Sequence, residues 1–300
     1  MPWALERTSW RGVRVDHPRD WEIALAAGVD DPPWCAFADR HYYRLDLRWQ
    51  QVDGPPNLEL LLEKHRQSPK GELRDVSRIS DLPAGWSGLL RKGRDGCVTY
   101  AAKVFRDRRV LAEATLFWPG HRDAPLEAVV LNSVAADAAG AVRLWQAMGI
   151  SLELGGEFKL HESSASVGRV RWTFAGPGRQ ADTLTVERLA MPDCWLKDPL
   201  ETWLAEQLPP RHAVVAKGET TFNGHAARRL LSRTKGNLAA AIRRRRPLRL
   251  DVAWLCDAEN RLYHVTFSRL SRTEEMELPG SLAVRCCRPV PQVAAAGSDS

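Results

Sequence analysis

The chain has no apolar run approaching the roughly 18 residues of a membrane-spanning helix, which excludes such a helix from these 300 residues. Its six cysteines (Cys35, Cys97, Cys194, Cys256, Cys286 and Cys287) show no CxxC spacing, and a chain this long needs no disulfide framework. No metal or other cofactor is therefore expected. Lysine is scarce, most of the 43 basic residues being arginine, and 37 acidic residues leave a net charge of +6. So small a surplus speaks for solubility more than for nucleic acid. Catalytic motifs are missing too: there is no GxSxG, P-loop, GxGxxG or HExxH. Gly85-Trp86-Ser87-Gly88 lacks the second glycine of a nucleophile elbow in register, and reads as the start of a strand. The segment Met-Pro-Trp-Ala-Leu-Glu-Arg that opens the sequence has no basic-then-apolar export signal. A cytoplasmic protein with reduced thiols is the expectation.

What the sequence does hold is tryptophan, twelve in all, within an apolar fraction of 44%. Trp buries a large area, so these residues are expected to fill cores, with some left as binding anchors. The length suits two domains of about 150 residues.

One pattern is written twice. Val13 and Val15 alternate with charged residues, Pro18 breaks the run, and Trp21 to Leu25 resumes it, which predicts a hairpin. Gly149 to Leu152 and Glu157 to Leu160 flank Gly155-Gly156 in the same way. Tyr43, Leu45, Leu47 and Trp49 alternate with Arg44, Asp46 and Arg48, giving a strand with one buried face. Leu58, Leu61 and Leu62 share one side of a predicted helix, echoed by Leu200, Trp203 and Leu204 after Asp198-Pro199. Strands follow at Leu73–Ile79, Gly85–Leu90, Val98–Phe105 and Leu111–Trp118, then a short helix at Pro125–Ala128 and a strand at Val129–Val134. In the second half Val167–Phe174 and Thr183–Leu189 are strands. Leu250–Ala253 echoes Val98–Ala101, Leu262–Phe267 echoes Leu111–Leu116, and Leu282–Cys286 echoes Val129–Ser133. The expected division is a first repeat over 1–137, a linker over 138–144, a second repeat over 145–288 and a disordered tail over 289–300. Each repeat is expected to be α+β, a mainly antiparallel sheet covered by helices.

This element order resembles the PsbP-like fold. The resemblance rests on Gly12-Val-Arg-Val15 with Pro18 and Trp21, on helix Leu58–His65, and on the pair Leu111–Trp118 and Val129–Val134. Gly149–Leu160, Leu200–Leu208, Leu262–Phe267 and Leu282–Cys286 repeat them. It implies tandem α/β/α sandwiches used for binding or assembly, with no single chemistry.

Few side chains stand out as candidates. Arg243, Arg244, Arg245 and Arg246 end a predicted helix, Asn237–Arg246, stopped by Pro247 and inserted relative to the first repeat. They form the candidate binding surface, able to hold phosphates or an acidic partner. The competing reading is that cations in a last turn merely suit the helix dipole. His121 with Asp123, His161 with Glu162, His41 and His225 read as turn or surface groups. Cys286 and Cys287 could take a soft metal or form a vicinal disulfide. At a strand end, however, one faces in and the other out, so small-hydrophobe packing is expected. The reading that results is a non-catalytic module that binds another protein through an outer sheet face or the arginine run, with no membrane contact. The alternatives are a nucleic-acid or anionic-ligand binder through the arginines, and an enzyme with a site between the repeats.

Overall fold

The computed structural model describes residues 3–27, 31–67, 75–137, 140, 142–177, 182–235, 246–271 and 273–287. Among them the first half runs β1 (Leu5–Trp10), β2 (Val13–Pro18), β3 (Glu22–Ala26), β4 (Trp34–Ala38), β5 (Tyr43–Gln51), α1 (Leu58–Gln67), β6 (Asp75–Arg78), β7 (Ser87–Lys92), β8 (Gly96–Phe105), β9 (Val110–Pro119), α2 (Ala124–Ser133) and β10 (Ala135–Ala136). The second runs β11 (Val142–Ala147), β12 (Ile150–Gly155), β13 (Lys159–Ser166), β14 (Arg169–Ala175), β15 (Thr183–Ala190), α3 (Pro192–Trp195), α4 (Leu200–Glu206), β16 (His212–Phe222), β17 (His225–Thr234), β18 (Arg246–Cys256), β19 (Arg261–Ser271) and β20 (Ala283–Arg285).

Strand for strand, the halves match. One seven-stranded sheet has the order β3-β4-β5-β9-β8-β7-β6 and the other β13-β14-β15-β19-β18-β17-β16, so each strand finds its counterpart ten places on. The remaining strands meet in a six-stranded sheet of order β10-β2-β1-β11-β12-β20. Its two hairpins turn on Arg11-Gly12 and Met148-Gly149, all four residues with positive φ, where glycine at the second position removes the Cβ clash. The hairpins join at β1 and β11, with Ser9 opposite Gln146 and the Ser9 hydroxyl donating to the Leu144 carbonyl at 2.9 Å.

The expected α+β architecture is therefore corrected: the molecule is mainly β, three antiparallel sheets with four helices among the described residues. What covers the inner face of each seven-stranded sheet is chiefly another sheet. One face of the six-stranded sheet presents Trp10, Val13, Val15, Trp145, Ile150 and Leu152, all buried, to both neighbours. Trp10 packs on Trp172 of β14 at 5.3 Å between ring centroids, Trp145 on Phe174 at 5.1 Å, and His17 on Phe37 of β4 at 4.6 Å. This shared apolar sheet thus seals what two isolated sandwiches would each have to seal with helices. The opposite face is wet and carries Arg7–Asp16 and Arg285–Glu153 ion pairs.

Two local expectations are also corrected. The run after Pro18 does not fold back on β2; β3 pairs with β4, and the Pro18–Trp21 turn carries the chain from one sheet to the next. Val129–Val134 is not a strand: it is helical through Ser133 as the second half of α2, and Val134 is the C-cap. Asp123 caps that helix by accepting the Leu126 N–H at 3.0 Å, Pro125 fits its first turn, and Leu126, Val130 and Leu131 are buried. Helical burial there outweighs the strand preference of two valines. By contrast, β5 alternates as expected over Leu45, Leu47 and Trp49, all buried, whereas Tyr43, expected on the same face, is exposed at the start of the strand; α1 and α4 lie where their leucines predict.

Candidate functional site

Helices α1 and α4 cover corresponding places on the outer faces of the two seven-stranded sheets. Leu62 of α1 is buried against Leu89, Tyr100, Ala102 and Leu111, and Leu204 of α4 against Leu230 and Ala253. Strand registers give the remaining equivalences. Arg48 lies opposite Glu113 as Glu187 lies opposite His264, and Tyr100 lies opposite Thr115 as Asp251 lies opposite Thr266. Arg91 lies opposite Val98 as Ser232 lies opposite Arg249. The same surface therefore carries different chemistry in each half.

In the second half that surface is closed. His264 sits between Asp251, 2.8 Å from Nε2, and Glu187, 3.3 Å from Nδ1. Arg249 forks onto Asp251 at 2.7 and 2.8 Å, and Arg169 and Arg171 reach Glu187 at 2.6 and 2.8 Å. Trp203 of α4 stands edge-on to His264 at 5.3 Å. Burial works against both carboxylates, yet their hydrogen bonds to His264 and to arginine win and hold each at about 2. Burial works against the imidazolium as well, and the two carboxylates nevertheless raise His264 above its ordinary value. Glu187, Asp251 and His264 are all buried and answer one another, which suits a structural role.

In the first half the surface is open. Beyond α1, a cavity of about 310 Å3 is lined by Arg48, His65, Arg91, Tyr100, Glu113 and Phe117 among others. A second hollow of about 420 Å3 shares Val98 and Phe117 with it and reaches Tyr42 and Tyr43, which are more than half exposed. Together they make a trough with an aromatic rim. The Glu113 carboxylate accepts from the Tyr100 hydroxyl at 2.5 Å and faces His65 Nε2 at 3.6 Å, while His65 stacks on the Tyr100 ring at 3.6 Å. His65 and Tyr100 hold the Glu113 carboxyl below its usual range against burial; burial and Glu113 together push the Tyr100 hydroxyl upward. Arg48 is engaged by Asp46 at 3.0 Å. Arg91 is different: it is 8% exposed, and its Nη2 has no hydrogen-bond partner. A buried guanidinium nitrogen left unpaired at an open trough has an N–H to donate to a carboxylate or another anion.

Arg243, Arg244 and Arg245, with most of the predicted helix Asn237–Arg246, lie outside the described residues; Arg246 opens β18 opposite Ser271. Asp123 is used as a helix cap and does not orient His121, which is exposed, as are His41 and His161. Between the halves Trp10, Trp145, Trp172 and Phe174 make an apolar contact. Cys286 and Cys287 follow the last residue of β20, beyond the reach of strand alternation, and both thiols turn toward Cys256 and His225. Sequence reading missed Arg91, whose only signal was an arginine in an otherwise apolar outer-face position.

No helix among the described residues is long and apolar enough to cross a membrane. No protein-family model matches the chain, and no curated protein does. Two solved structures of the T6SS immunity protein TplEi from Pseudomonas aeruginosa are similar to it at 10% sequence identity. For the complex with "L" peptide the TM-score is 0.36, over 90% of this chain and 88% of that one. For the apo form it is 0.37, over 91% and 89%. At that similarity the functional reading rests on this chain's own residues.

Proposed function

We propose that the chain is a non-catalytic protein-binding module whose interface is the outer face of its first seven-stranded sheet. The observation that supports this reading is Arg91, buried and short of a partner at the floor of the trough, where the equivalent Ser232 is hydrogen-bonded to His212 at 3.1 Å. One half has invested its outer face in an internally satisfied network; the other keeps a cationic floor, an apolar wall in Phe117 and Val98, and a rim of Tyr42 and Tyr43. Aromatic and arginine side chains around a partly dry centre are the composition of protein-binding hot spots. The partner's matching group is an acidic side chain, which would give Arg91 its missing acceptor.

The test is affinity capture from native lysate after nuclease treatment at about 0.3 M salt, a condition that strips phosphate-driven binding. Wild type is compared with Arg91→Met, Phe117→Glu, and alanine at all of Arg243, Arg244, Arg245 and Arg246. The reading expects one partner protein retained by wild type and by the alanine variant, and lost by both face variants. Retention by the face variants with loss in the alanine variant would instead assign binding to the arginine run, and loss on nuclease treatment would assign it to nucleic acid.

A further inference from the structure

We propose that His225, Cys256, Cys286 and Cys287 form a closed, four-ligand zinc site that ties the second seven-stranded sheet to the six-stranded sheet. The ligand atoms of the four residues all lie within 4.8 Å of one another. Cys287 Sγ is 3.3 Å from His225 Nε2. A tetrahedral zinc ion with bonds of about 2.3 Å to sulfur and about 2.0 Å to nitrogen needs sulfurs about 3.8 Å apart and sulfur–nitrogen separations of about 3.5 Å. From separations of at most 4.8 Å, no sulfur pair needs to close by more than about 1.0 Å and no sulfur–nitrogen pair by more than about 1.3 Å to meet that.

The fold brings the four together from three separate segments. His225 is the first residue of β17, set by the Asn223-Gly224 turn, whose residues both have positive φ. Cys256 is the last residue of β18 and is wholly buried. Cys286 and Cys287 come directly after β20, which belongs to the other sheet through its pairing with β12. Because the strand has ended, two consecutive side chains reach the same side.

The chemistry of the donor set selects the ion. Three sulfurs and one imidazole are soft to borderline ligands, the Cys3His composition typical of structural zinc, and four protein ligands leave no open position for substrate. Asn223 supplies an outer contact, its Nδ2 lying 3.0 Å from Cys286 Sγ, where an amide N–H stabilises thiolate charge. A cysteine binds zinc as its thiolate, so three thiol protons must leave when the site fills. Zinc binding displaces those three protons to solvent and turns a crowded set of weak donors into four metal bonds.

The experiment is a Co2+ titration of the full chain, reduced and stripped of metal, followed by displacement with Zn2+. Saturation at one Co2+ per chain with a thiolate-to-cobalt charge-transfer band, bleached by one equivalent of zinc, is the expected result. Cys287→Ser, at a partly exposed position, should keep the far-UV circular dichroism of the wild type and bind zinc at least about 100-fold more weakly. Removing a hydrogen-bond donor to a metal ligand costs about 10- to 100-fold, so Asn223→Ala should fall nearer tenfold. A folded, reduced wild type without the band would overturn the site, as would unchanged zinc affinity in Cys287→Ser. So would a disulfide among Cys256, Cys286 and Cys287 in protein purified in the presence of zinc.

Discussion

Glu113 and His264 occupy the same place in the two seven-stranded sheets, each opposite a residue of opposite charge character: Arg48 for the first, Glu187 for the second. The exchange inverts the electrostatics of one surface. Around His264 two carboxylates and three arginines close on one another; around Glu113 a tyrosine and a histidine suffice, and Arg91 is left over.

Arg91→Met should separate binding from folding. A buried charge without a partner contributes little to stability, so an apolar replacement of similar length is expected to leave the urea midpoint unchanged or raise it. Partner affinity should fall by about 2–5 kcal/mol, as when one side of a buried charge pair is removed. Chemical denaturation and titration calorimetry on the same variant check both halves of the statement.

The network around His264 gives stability a two-sided pH dependence. Asp251 and Glu187 titrate at about 2 in the folded chain, below the ordinary carboxylate value of about 4. Their contribution is present above about 4 and is lost as pH falls toward 2. His264 is raised above an ordinary imidazole, so its contribution is complete below about 6.5 and is lost as pH climbs through its folded value. Urea midpoints measured across pH for wild type and His264→Gln should differ most between about pH 4.5 and 6.5 and converge on the alkaline side. Parallel curves would refute the assignment.

Gly88 is required by packing and not by backbone angle. A Cβ there would meet the Tyr100 carbonyl oxygen and the Leu82 side chain. Gly88→Ala should therefore cost about 1–3 kcal/mol, the range for overpacking, because main chain cannot yield as a flexible side chain can. Thermal melts of this variant beside Gly54→Ala, which has open space, provide the control.

Trp10 belongs to the first half by sequence and to the second by contact. Trp10→Ala removes ring contacts with Trp145 and Trp172 and should destabilise by about 3–5 kcal/mol. Near-UV circular dichroism should lose signal from both halves in one transition. Two separate melts would show that the shared core does not couple them.

Much of the strand pattern was legible because apolar and charged residues alternate along β5 and because β8 and β9 are largely apolar runs either side of a charged turn. Which sheet a strand joins was not legible, since nothing local distinguishes a turn within a sheet from the crossing at Pro18–Trp21. The second-half register slipped for a physical reason. Sequence likeness matched Leu250 with Val98, but the pairings match it with Thr99, because Val98 and Tyr100 are outer-face residues where the second half has Arg249 and Asp251. Leu250 belongs to the inner face. Val98 and Tyr100 line the trough, and their apolar character hid the register at the place where the two outer faces differ most. The cysteine and histidine set was hidden because its ligands come from three segments with no characteristic spacing.

The pairing of Ser9 with Gln146 has a consequence for how such a chain arose. Counted from their hairpin turns, these two are equivalent residues, so the six-stranded sheet has an approximate twofold axis passing between them. A single repeat would present the edge of its β1 as a self-complementary surface and would associate with an identical copy through it. Joining the copies in one polypeptide makes that association intramolecular, independent of concentration. It also frees each copy from having to be the same as the other. A homodimer must carry every substitution twice; a fused one can lock one outer face and leave its twin open.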